Sequence, residues 1–214
     1  MRMAKVDTPP NGGRRARKKQ MQRAEILRAA IVLLREDGFE RTRMEDVAEK
    51  ADVSLKTVYN YFPSKNSILL ELLSNDRERL SQAYEAVAAA PPEDLAEALA
   101  RLMHADIGDV TTPQEKSLWL DMLAAESRAN SEASDEVNRN RDVFSSFTRH
   151  ILRHFRARGA LSEDVDEGAA AEMVYALLMY DFRNYCARAD MTPDDFLQLA
   201  RQQTRLLVAG WAGC

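Results

Sequence analysis

Residues 42–66 read TRMEDVAEKADVSLKTVYNYFPSKN, and this stretch predicts two short helices joined by a tight turn. In the first of them, apolar side chains recur at the spacing of one helix face: Met44, Val47, Ala48 and Ala51. Thr42 and Glu45 match a capping box, so we expect Thr42 to cap this helix. Asp52 occupies the turn, where Asp tolerates a left-handed backbone better than most residues do.

The second helix is expected to begin after Ser54, whose side-chain oxygen can accept from the free backbone N–H groups of the first turn. Val58 and Phe62 lie four residues apart and are expected to face inward, while the polar side chains around them stay outside. A helix, a tight turn and a second helix with exposed polar side chains are typical of a helix-turn-helix. In that motif the second helix contacts base edges in the major groove of DNA.

The pattern V-S-x-x-T-V-Y-x-Y-F-P-S-K, residues 53–65, resembles the DNA-binding domain of the TetR family of bacterial repressors. The resemblance begins near Gln20 and is specific to about Leu73. Two departures are Asp52, where the family most often has Gly, and Asn66, where an acidic residue is common. The resemblance implies a three-helix DNA-binding domain followed by a helical body, which encloses a ligand pocket and dimerises through its last two long helices.

The resemblance also implies DNA contacts for side chains of this stretch. Leu55 and Thr57 match positions that touch bases, and both can contact a thymine methyl group. Arg43 matches a position that can reach O6 and N7 of guanine, and Tyr59 and Tyr61 would bond phosphates through their hydroxyls. The expected DNA-binding residues are Thr42, Arg43, Ser54, Leu55, Lys56, Thr57, Tyr59, Asn60, Tyr61 and Lys65.

Some of these assignments have structural alternatives. Lys65 would add a charge and a helix dipole to one phosphate, or it is a solvated charge near a helix cap. Tyr61 contacts phosphate or packs in the core. Lys56 is expected to contact phosphate rather than a base, and Thr42 is a helix cap that could also contact phosphate.

Charge is unevenly distributed along the chain, although the net charge of −4 alone argues against a nucleic-acid binder. Residues 1–66 contain 15 Lys and Arg against nine Asp and Glu, whereas residues 67–214 contain 15 against 25. This asymmetry predicts a basic end that faces DNA and an acidic body, with ordinary charge scatter as the alternative. Residues 1–19 are expected to form a disordered arm. The basic cluster at the carboxyl end of this arm is expected either to contact DNA or to be a solvated tail or a helix start.

Apolar periodicity predicts an all-α fold of about nine helices. The DNA-binding domain is expected to span residues 20–66, with its first helix starting at Gln20. A long fourth helix, capped by Ser64 and stopped at Pro91, would join this domain to the ligand-binding and dimerisation domain of residues 67–214. The remaining helices are expected at about 92–108, 113–130, 132–158 and 162–189. Ser162 is the expected cap of the eighth helix, and Thr192 that of the last one.

The body offers candidates for a ligand pocket but no diagnostic motif. The candidates are large apolar or polar residues on its middle helices, a kind of residue that more often forms ordinary core: Met103, His104, Trp119, Met122, Glu126, Phe147, Tyr175 and Met179. Glu126 follows Trp119 on the same helix face and would suit a cationic ligand, with a surface salt bridge as the alternative. The last two helices are apolar on most sides, which predicts burial against the body and against a second copy of the chain.

Other functional classes lack their sequence signatures. The chain contains no Gly-rich phosphate loop, nucleophile elbow or HExxH motif, so we expect no enzyme and no cofactor. His150 and His154 have the i, i+4 spacing of metal ligands, but arginines crowd them, so we expect no metal. Cys186 and Cys214 form no CxxC pair, and no apolar segment approaches the length of a membrane span. We therefore expect a soluble cytoplasmic protein with no membrane contact.

The resemblance to the TetR family, together with the charge asymmetry and the apolar periodicity, implies a dimeric, sequence-specific transcriptional regulator. We expect a repressor that a small-molecule effector, bound in the body, releases from a palindromic operator of double-stranded DNA. The long fourth helix is the expected carrier of the coupling between the two parts. The alternative is an architectural or global DNA-binding protein of the same fold without a small-molecule ligand.

Overall fold

A computed structural model of the protein describes residues 13–108, 110–128 and 131–211, without the side chains of residues 15, 125–128 and 131–137. Within these ranges the chain forms nine α-helices and no strand, which confirms the all-α prediction. The helices are α1 (Arg14–Asp37), α2 (Met44–Lys50), α3 (Leu55–Tyr61), α4 (Lys65–Ala89), α5 (Leu95–Ala105), α6 (Pro113–Arg128), α7 (Ser131–Ala157), α8 (Glu167–Ala187) and α9 (Pro193–Ala209). We call α1–α3 the amino-terminal domain and α4–α9 the body.

The helix-turn-helix forms as predicted from α2 and α3. Its buried side chains are those that the periodicity placed inward: Met44, Val47, Ala48, Val58 and Phe62. Asp52 adopts the left-handed conformation expected of the turn, with a φ of 52°. Ser54 caps α3, because its Oγ accepts from the Thr57 N–H at 3.2 Å. The turn and the cap together hold α3 against α2.

The cap of α2 differs from the prediction. Arg43 rather than Thr42 precedes the first helical residue, and its N–H donates to Asp46 Oδ2 at 3.2 Å. Thr42 is only 3% exposed, and its hydroxyl donates to the carbonyl of Gly38 at 2.8 Å. The predicted capping box of Thr42 and Glu45 is therefore wrong by one residue, because Asp46 is the acid that reaches back to the start of the helix.

The first helix, α1, begins at Arg14, six residues before the predicted start at Gln20. The residues between them are mostly Arg, Lys and Ala, which are strong helix formers, and the Pro and Gly residues of the amino-terminal segment end at Gly13. The basic cluster thus belongs to the first turns of α1, so the predicted arm does not extend to residue 19. The rest of that predicted arm, residues 1–12, lies outside the described residues.

The body is assembled around α4, which continues for 25 residues from the amino-terminal domain. Ser64 caps α4 and Thr192 caps α9, both as predicted. The carboxyl-terminal helix α9 packs chiefly against α5, whereas α7 packs against α4 and α8, and α6 packs against α8. Because α6 also contacts α1, the body meets the amino-terminal domain through more than α4.

Two helices of the body begin later than predicted. The fifth helix begins at Leu95, where Asp94 caps it, and the eighth begins at Glu167, where Asp166 caps it. Ser162, the predicted cap of α8, lies in the preceding turn. In both helices an Asp carboxylate accepts from a backbone N–H of the first turn, and its charge also interacts favourably with the helix dipole.

A buried cation links α6 to the end of α8. Lys116 Nζ donates to the carbonyl of Arg188 at 2.8 Å and to that of Met191 at 2.6 Å. The same ammonium lies 4.0 Å from the ring centroid of Tyr185. Carbonyl oxygens at the carboxyl end of a helix and the face of an aromatic ring both stabilise a positive charge. Lys116 therefore fixes the start of α6 to the α8–α9 connection.

Candidate nucleic-acid interface

The recognition-helix candidate α3 presents most of its side chains to solvent. Only Val58 is buried among its seven residues, and it anchors the helix to the core. Tyr59 is 45% exposed, an unusual position for a large aromatic side chain. The remaining expected contact residues of this helix and its cap are exposed or partly exposed: Ser54, Leu55, Lys56, Thr57, Asn60 and Tyr61. The structure therefore leaves these side chains at least partly accessible to solvent.

Hydrogen bonding orients some of these side chains. The hydroxyls of Ser54 and Thr57 lie 2.8 Å apart and share a hydrogen bond in which either can donate. Arg43, at the start of α2, has a side chain that is 68% exposed and only a loose ion pair, 3.6 Å from Asp46. Arg43 is thus accessible to an incoming acceptor, and Thr57 keeps a partly exposed side chain beside the helix cap.

Three expected DNA-binding residues instead have partners inside the protein. Thr42 is buried against Gly38, as described above. The Tyr61 hydroxyl donates to Gln22 Oε1 on α1 at 3.1 Å, and so connects the end of α3 to α1. Lys65 donates to backbone carbonyls of the α1–α2 turn. These interactions stabilise the amino-terminal domain and need no DNA.

Lys65 has the most complete set of internal partners. Its Nζ donates to the carbonyls of Phe39, Thr42 at 2.9 Å and Glu40 at 3.4 Å. It also lies 4.1 Å from the ring centroid of Phe39. An ammonium has three donor hydrogens, and three acceptors surround this one. The alternative of a solvated charge is therefore wrong, because the side chain links the start of α4 to the turn before α2.

A direct contact joins the body to the same turn. The Phe39 N–H donates to Asp121 Oδ2 of α6 at 3.2 Å, and Arg35 of α1 lies 3.9 Å from Glu115 of α6. The backbone of Phe39 is thus held by α6 through its N–H and by α4 through its carbonyl. The sequence patterns missed this contact, because Phe39 and Asp121 are 82 residues apart and nothing local marks them as partners.

The apolar residues expected to bind a ligand all lie in or against one hydrophobic core. Met103, Trp119 and Met122 are buried, whereas His104, Phe147, Tyr175 and Met179 are partly buried. Tyr84, Phe144, Phe147 and Tyr175 form an aromatic cluster with ring centroids 5.5 to 5.8 Å apart. Trp119 contacts Phe182 outside that cluster. The side chain of Glu126 lies outside the described residues.

His104 belongs to a different environment from the aromatic cluster. Burial lowers the pKa of the His104 imidazole. Two charges on α9 have smaller, opposite effects on this pKa: Asp194 raises it and Arg201 lowers it. The Nε2 of His104 is buried without a hydrogen-bond partner in the described structure. The body also has an open groove of about 400 Å³ where the start of α8 meets the end of α9. None of the expected ligand-binding residues lines it.

A buried carboxyl adjoins the aromatic cluster where α4 meets the end of α5. The Tyr84 hydroxyl donates to Asp106 Oδ1, and Arg79 donates to both oxygens of Asp76 at 2.6 and 2.9 Å. Burial raises the pKa of Asp106 to about 6; the Tyr84 hydrogen bond opposes the rise and the charge of Asp76 adds to it. No sequence pattern marks this group, because Asp106 follows a helix as an ordinary turn residue would.

The raised pKa of Asp106 predicts a specific pH dependence of stability. Because the folded-state pKa of about 6 exceeds the ordinary value of 3.8, the folded protein holds this proton more tightly than the unfolded chain does. The resulting stabilisation is complete below about pH 4 and is lost as the pH rises through about 6, in total by roughly 3 kcal/mol. Because other carboxyl groups titrate as well, this loss is measured as the difference in urea unfolding between the wild type and a variant that does not titrate at position 106.

The variant Asp106→Asn is the matched control for this measurement. Its amide stays neutral at every pH and still offers an oxygen to the Tyr84 hydroxyl. Its free energy of unfolding should therefore lack the decline between pH 4 and 6. Identical pH profiles for the two proteins would show that another group causes the decline.

Apolar side chains remain exposed on the last two helices. Met173 and Tyr180 of α8 and Leu206 of α9 are between 49% and 79% exposed. Exposed apolar side chains on neighbouring helices are typical of a surface that another protein chain covers. Among the described residues, no helix is long and apolar enough to cross a membrane. The same residues contain no cluster of His, Cys, Asp or Glu that could hold a metal ion.

Comparison with known proteins agrees with the geometry of the amino-terminal domain. The sequence model described as bacterial regulatory proteins of the tetR family matches residues 26–72, which include α2 and α3. The HTH-type transcriptional repressor KstR of Rhodococcus jostii is 42% identical over 59 residues, and this match spans 28% of either protein. KstR of Mycobacterium tuberculosis is 27% identical over 167 residues, covering 68% of this chain and 76% of that protein.

Solved structures share the whole fold. The transcriptional regulator FadR of Bacillus subtilis, solved in complex with stearoyl-CoA, has a TM-score of 0.68 and 20% sequence identity, covering 87% of this chain and 98% of that one. Identity this low supports the fold alone. The amino-terminal part of the chain, residues 26–72, is thus similar to bacterial regulatory proteins of the tetR family, while the chain as a whole is similar to KstR and shares the fold of FadR.

Proposed function

We propose that this protein is a dimeric transcriptional regulator that binds a palindromic operator through α3 and responds to a small molecule bound in the body. The observation that carries the proposal is the accessible polar surface of α3, held on the buried Val58. It lies within the part of the chain that matches a family of DNA-binding regulators. The two KstR relatives are named as transcriptional repressors, which favours repression over activation.

The geometry supports different roles for the expected DNA-binding residues. Leu55, Thr57 and Arg43 are accessible and have the chemistry to contact bases. Lys56 and Tyr59 are exposed and can bond phosphates, as can Ser54 and Asn60. Thr42, Tyr61 and Lys65 have internal partners, and we assign them the role of fixing α3 relative to α1 and α4.

The exposed apolar surface of α8 and α9 supports dimerisation through these helices. A two-fold axis would place Met173, Tyr180 and Leu206 against the same surface of a second copy. Such a dimer would present two copies of α3 to successive major grooves, and a palindrome provides the matching pair of half-sites. The groove at the start of α8 adjoins this surface, since Met173 lines it.

The body supports control by a small molecule in two ways. FadR, which has the same fold, was solved with an acyl-CoA bound, so a body of this architecture can hold a ligand. An effector changes operator affinity only if it binds the DNA-competent and incompetent states with different affinity. Both α4 and the contact of Asp121 with Phe39 connect the body to the amino-terminal domain, and we propose that both transmit the change.

Removing the acceptor at position 121 tests the second route. Asp121→Leu leaves the Phe39 N–H without its partner, and we expect this amide to exchange hydrogen faster and operator affinity to change by about 3- to 10-fold. Asp121→Asn keeps an acceptor oxygen and should behave like the wild type. If Asp121→Leu retains both wild-type exchange at Phe39 and wild-type affinity, α6 is not part of the coupling.

Selection of DNA by the purified full-length protein tests the proposed function itself. The protein would be incubated with a pool of random-sequence duplexes at near-physiological salt, where weak phosphate binding fades and specific binding persists. Enrichment of one palindrome would support a specific regulator. Retention of duplexes without a shared sequence would favour the architectural alternative, and no retention even at low salt would overturn DNA binding.

A further inference from the structure

The first two turns of α1 carry a dense cluster of positive charge. Five of its first six residues are Arg or Lys: Arg14, Arg15, Arg17, Lys18 and Lys19. No acidic residue occurs before Glu25 in this helix. Every described side chain from Arg14 to Met21 is exposed, so no other part of the described protein covers this segment. It also precedes the family match, which begins at residue 26.

This segment opposes the usual preferences of a helix start. Gly13 offers no side-chain cap, and the first turn contains no acidic residue. Arg14 and Lys18 are four residues apart on the helix surface, and like charges at this spacing repel. Cations are also unfavourable at the positive end of the helix dipole. Charges that destabilise the helix in which they lie are expected where function requires them. A bound polyanion would relieve the repulsion between these cations.

Neighbouring contacts place the cluster beside the end of α3. Gln22 accepts the Tyr61 hydroxyl at 3.1 Å, and the Arg23 guanidinium lies 5.3 Å from the ring centroid of Phe62. At a rise of about 1.5 Å per residue, Arg14 lies about 12 Å further along the helix axis than Gln22. The opposite end of α1 contacts α6 of the body, where Arg35 lies 3.9 Å from Glu115. The cationic turns thus project from the amino-terminal domain next to its recognition helix.

We propose that residues 14–19 form a second DNA-contact surface, which binds backbone phosphates flanking the half-site that α3 recognises. The proposal rests on the function proposed above and adds a partner for a segment that helix-turn-helix recognition does not use. Arg and Lys contacts to phosphates carry no base specificity. The surface should therefore increase affinity and extend the DNA footprint without changing the preferred sequence.

Salt dependence of DNA binding tests this proposal. The variant Arg14→Gln/Arg17→Gln/Lys18→Gln/Lys19→Gln removes four cations and keeps good helix formers. Its matched control, Arg101→Gln/Arg153→Gln/Arg158→Gln/Arg188→Gln, removes four exposed cations from the body. Each lost phosphate contact makes the slope of log K against log salt shallower by about 0.9. For the duplex that the protein selects, we expect the slope to become shallower by about 2 or more, and affinity at low salt to fall at least about tenfold.

Shortening the DNA provides the second measurement. A duplex trimmed to the selected half-sites lacks the flanking phosphates. The wild type and the α1 variant should therefore bind this duplex with similar affinity. The body control should match the wild type on both duplexes. Equal salt slopes for the wild type and the α1 variant would overturn this proposal while leaving the regulator function intact. If the wild type itself binds no duplex, the function and the second surface fail together.

Discussion

Thr57→Glu is expected to weaken operator binding by at least about 100-fold while leaving the unfolding temperature close to that of the wild type. Thr57 lies on the accessible surface of α3 and is one of its candidate base contacts. A carboxylate there would be repelled by the negative potential of DNA. The substitution also removes the hydroxyl and methyl groups of Thr57. The helix itself should persist, because Ser54 followed by Glu three residues later is a capping box. Equilibrium DNA binding and thermal unfolding measure the two effects separately.

Two further variants show whether the loss arises at the interface. Thr57→Val keeps a methyl group for a thymine but lacks the hydroxyl, and should weaken binding by about tenfold. Ser146→Glu adds the same charge to an exposed position on α7 in the body and should bind as the wild type does. If Thr57→Glu retains wild-type affinity with a wild-type unfolding temperature, α3 is not the helix that contacts the operator.

Lys65→Met is expected to lower the free energy of unfolding by about 2 kcal/mol, because it leaves the carbonyls of Phe39, Glu40 and Thr42 without their donor. The loss of the interaction with the Phe39 ring contributes to this figure. In a protein of this size that corresponds to about 4 to 8 °C in unfolding temperature. Operator affinity should also fall, since the α1–α2 turn loses its link to α4.

Lys56→Met separates positioning from phosphate binding. Both variants remove one cation from the region around α3, but Lys56 is exposed. Lys56→Met should therefore leave the unfolding temperature unchanged and make the salt slope of DNA binding shallower by about 0.9 for each recognition helix. Lys65→Met should instead lower the unfolding temperature and leave the salt slope of DNA binding unchanged. A shallower slope for Lys65→Met at unchanged stability would instead restore Lys65 as a phosphate ligand.

The helix-turn-helix was predictable because its information is local. The spacing of Met44, Val47 and Val58, the Asp52 turn and the Ser54 cap all lie within fifteen residues and agree with one another. Helix starts were less predictable, since several residues near each one can act as a cap. Asp166 rather than Ser162 starts α8, and Arg43 rather than Thr42 precedes α2, although each predicted residue is itself a favourable cap.

The roles of individual side chains depended on partners that the sequence does not reveal. Tyr61 meets Gln22 at a separation of 39 residues, and Lys65 meets Phe39 at 26. No local sequence pattern distinguishes a lysine that donates to backbone carbonyl oxygens from one that binds a phosphate. In the body, apolar periodicity predicted burial for Met103 and Met122 correctly. It could not predict which residues line a cavity, because core and pocket residues share the same pattern.

The hydrogen bond from Phe39 to Asp121 has a consequence for protein engineering. Regulators with new combinations of operator and inducer can be built by grafting the amino-terminal domain of one protein onto the body of another. A graft cut at the start of α4 would separate Phe39 from Asp121 and Arg35 from Glu115. Such chimeras of this protein should respond properly to inducer only when the acceptor on α6 is transplanted together with the first three helices.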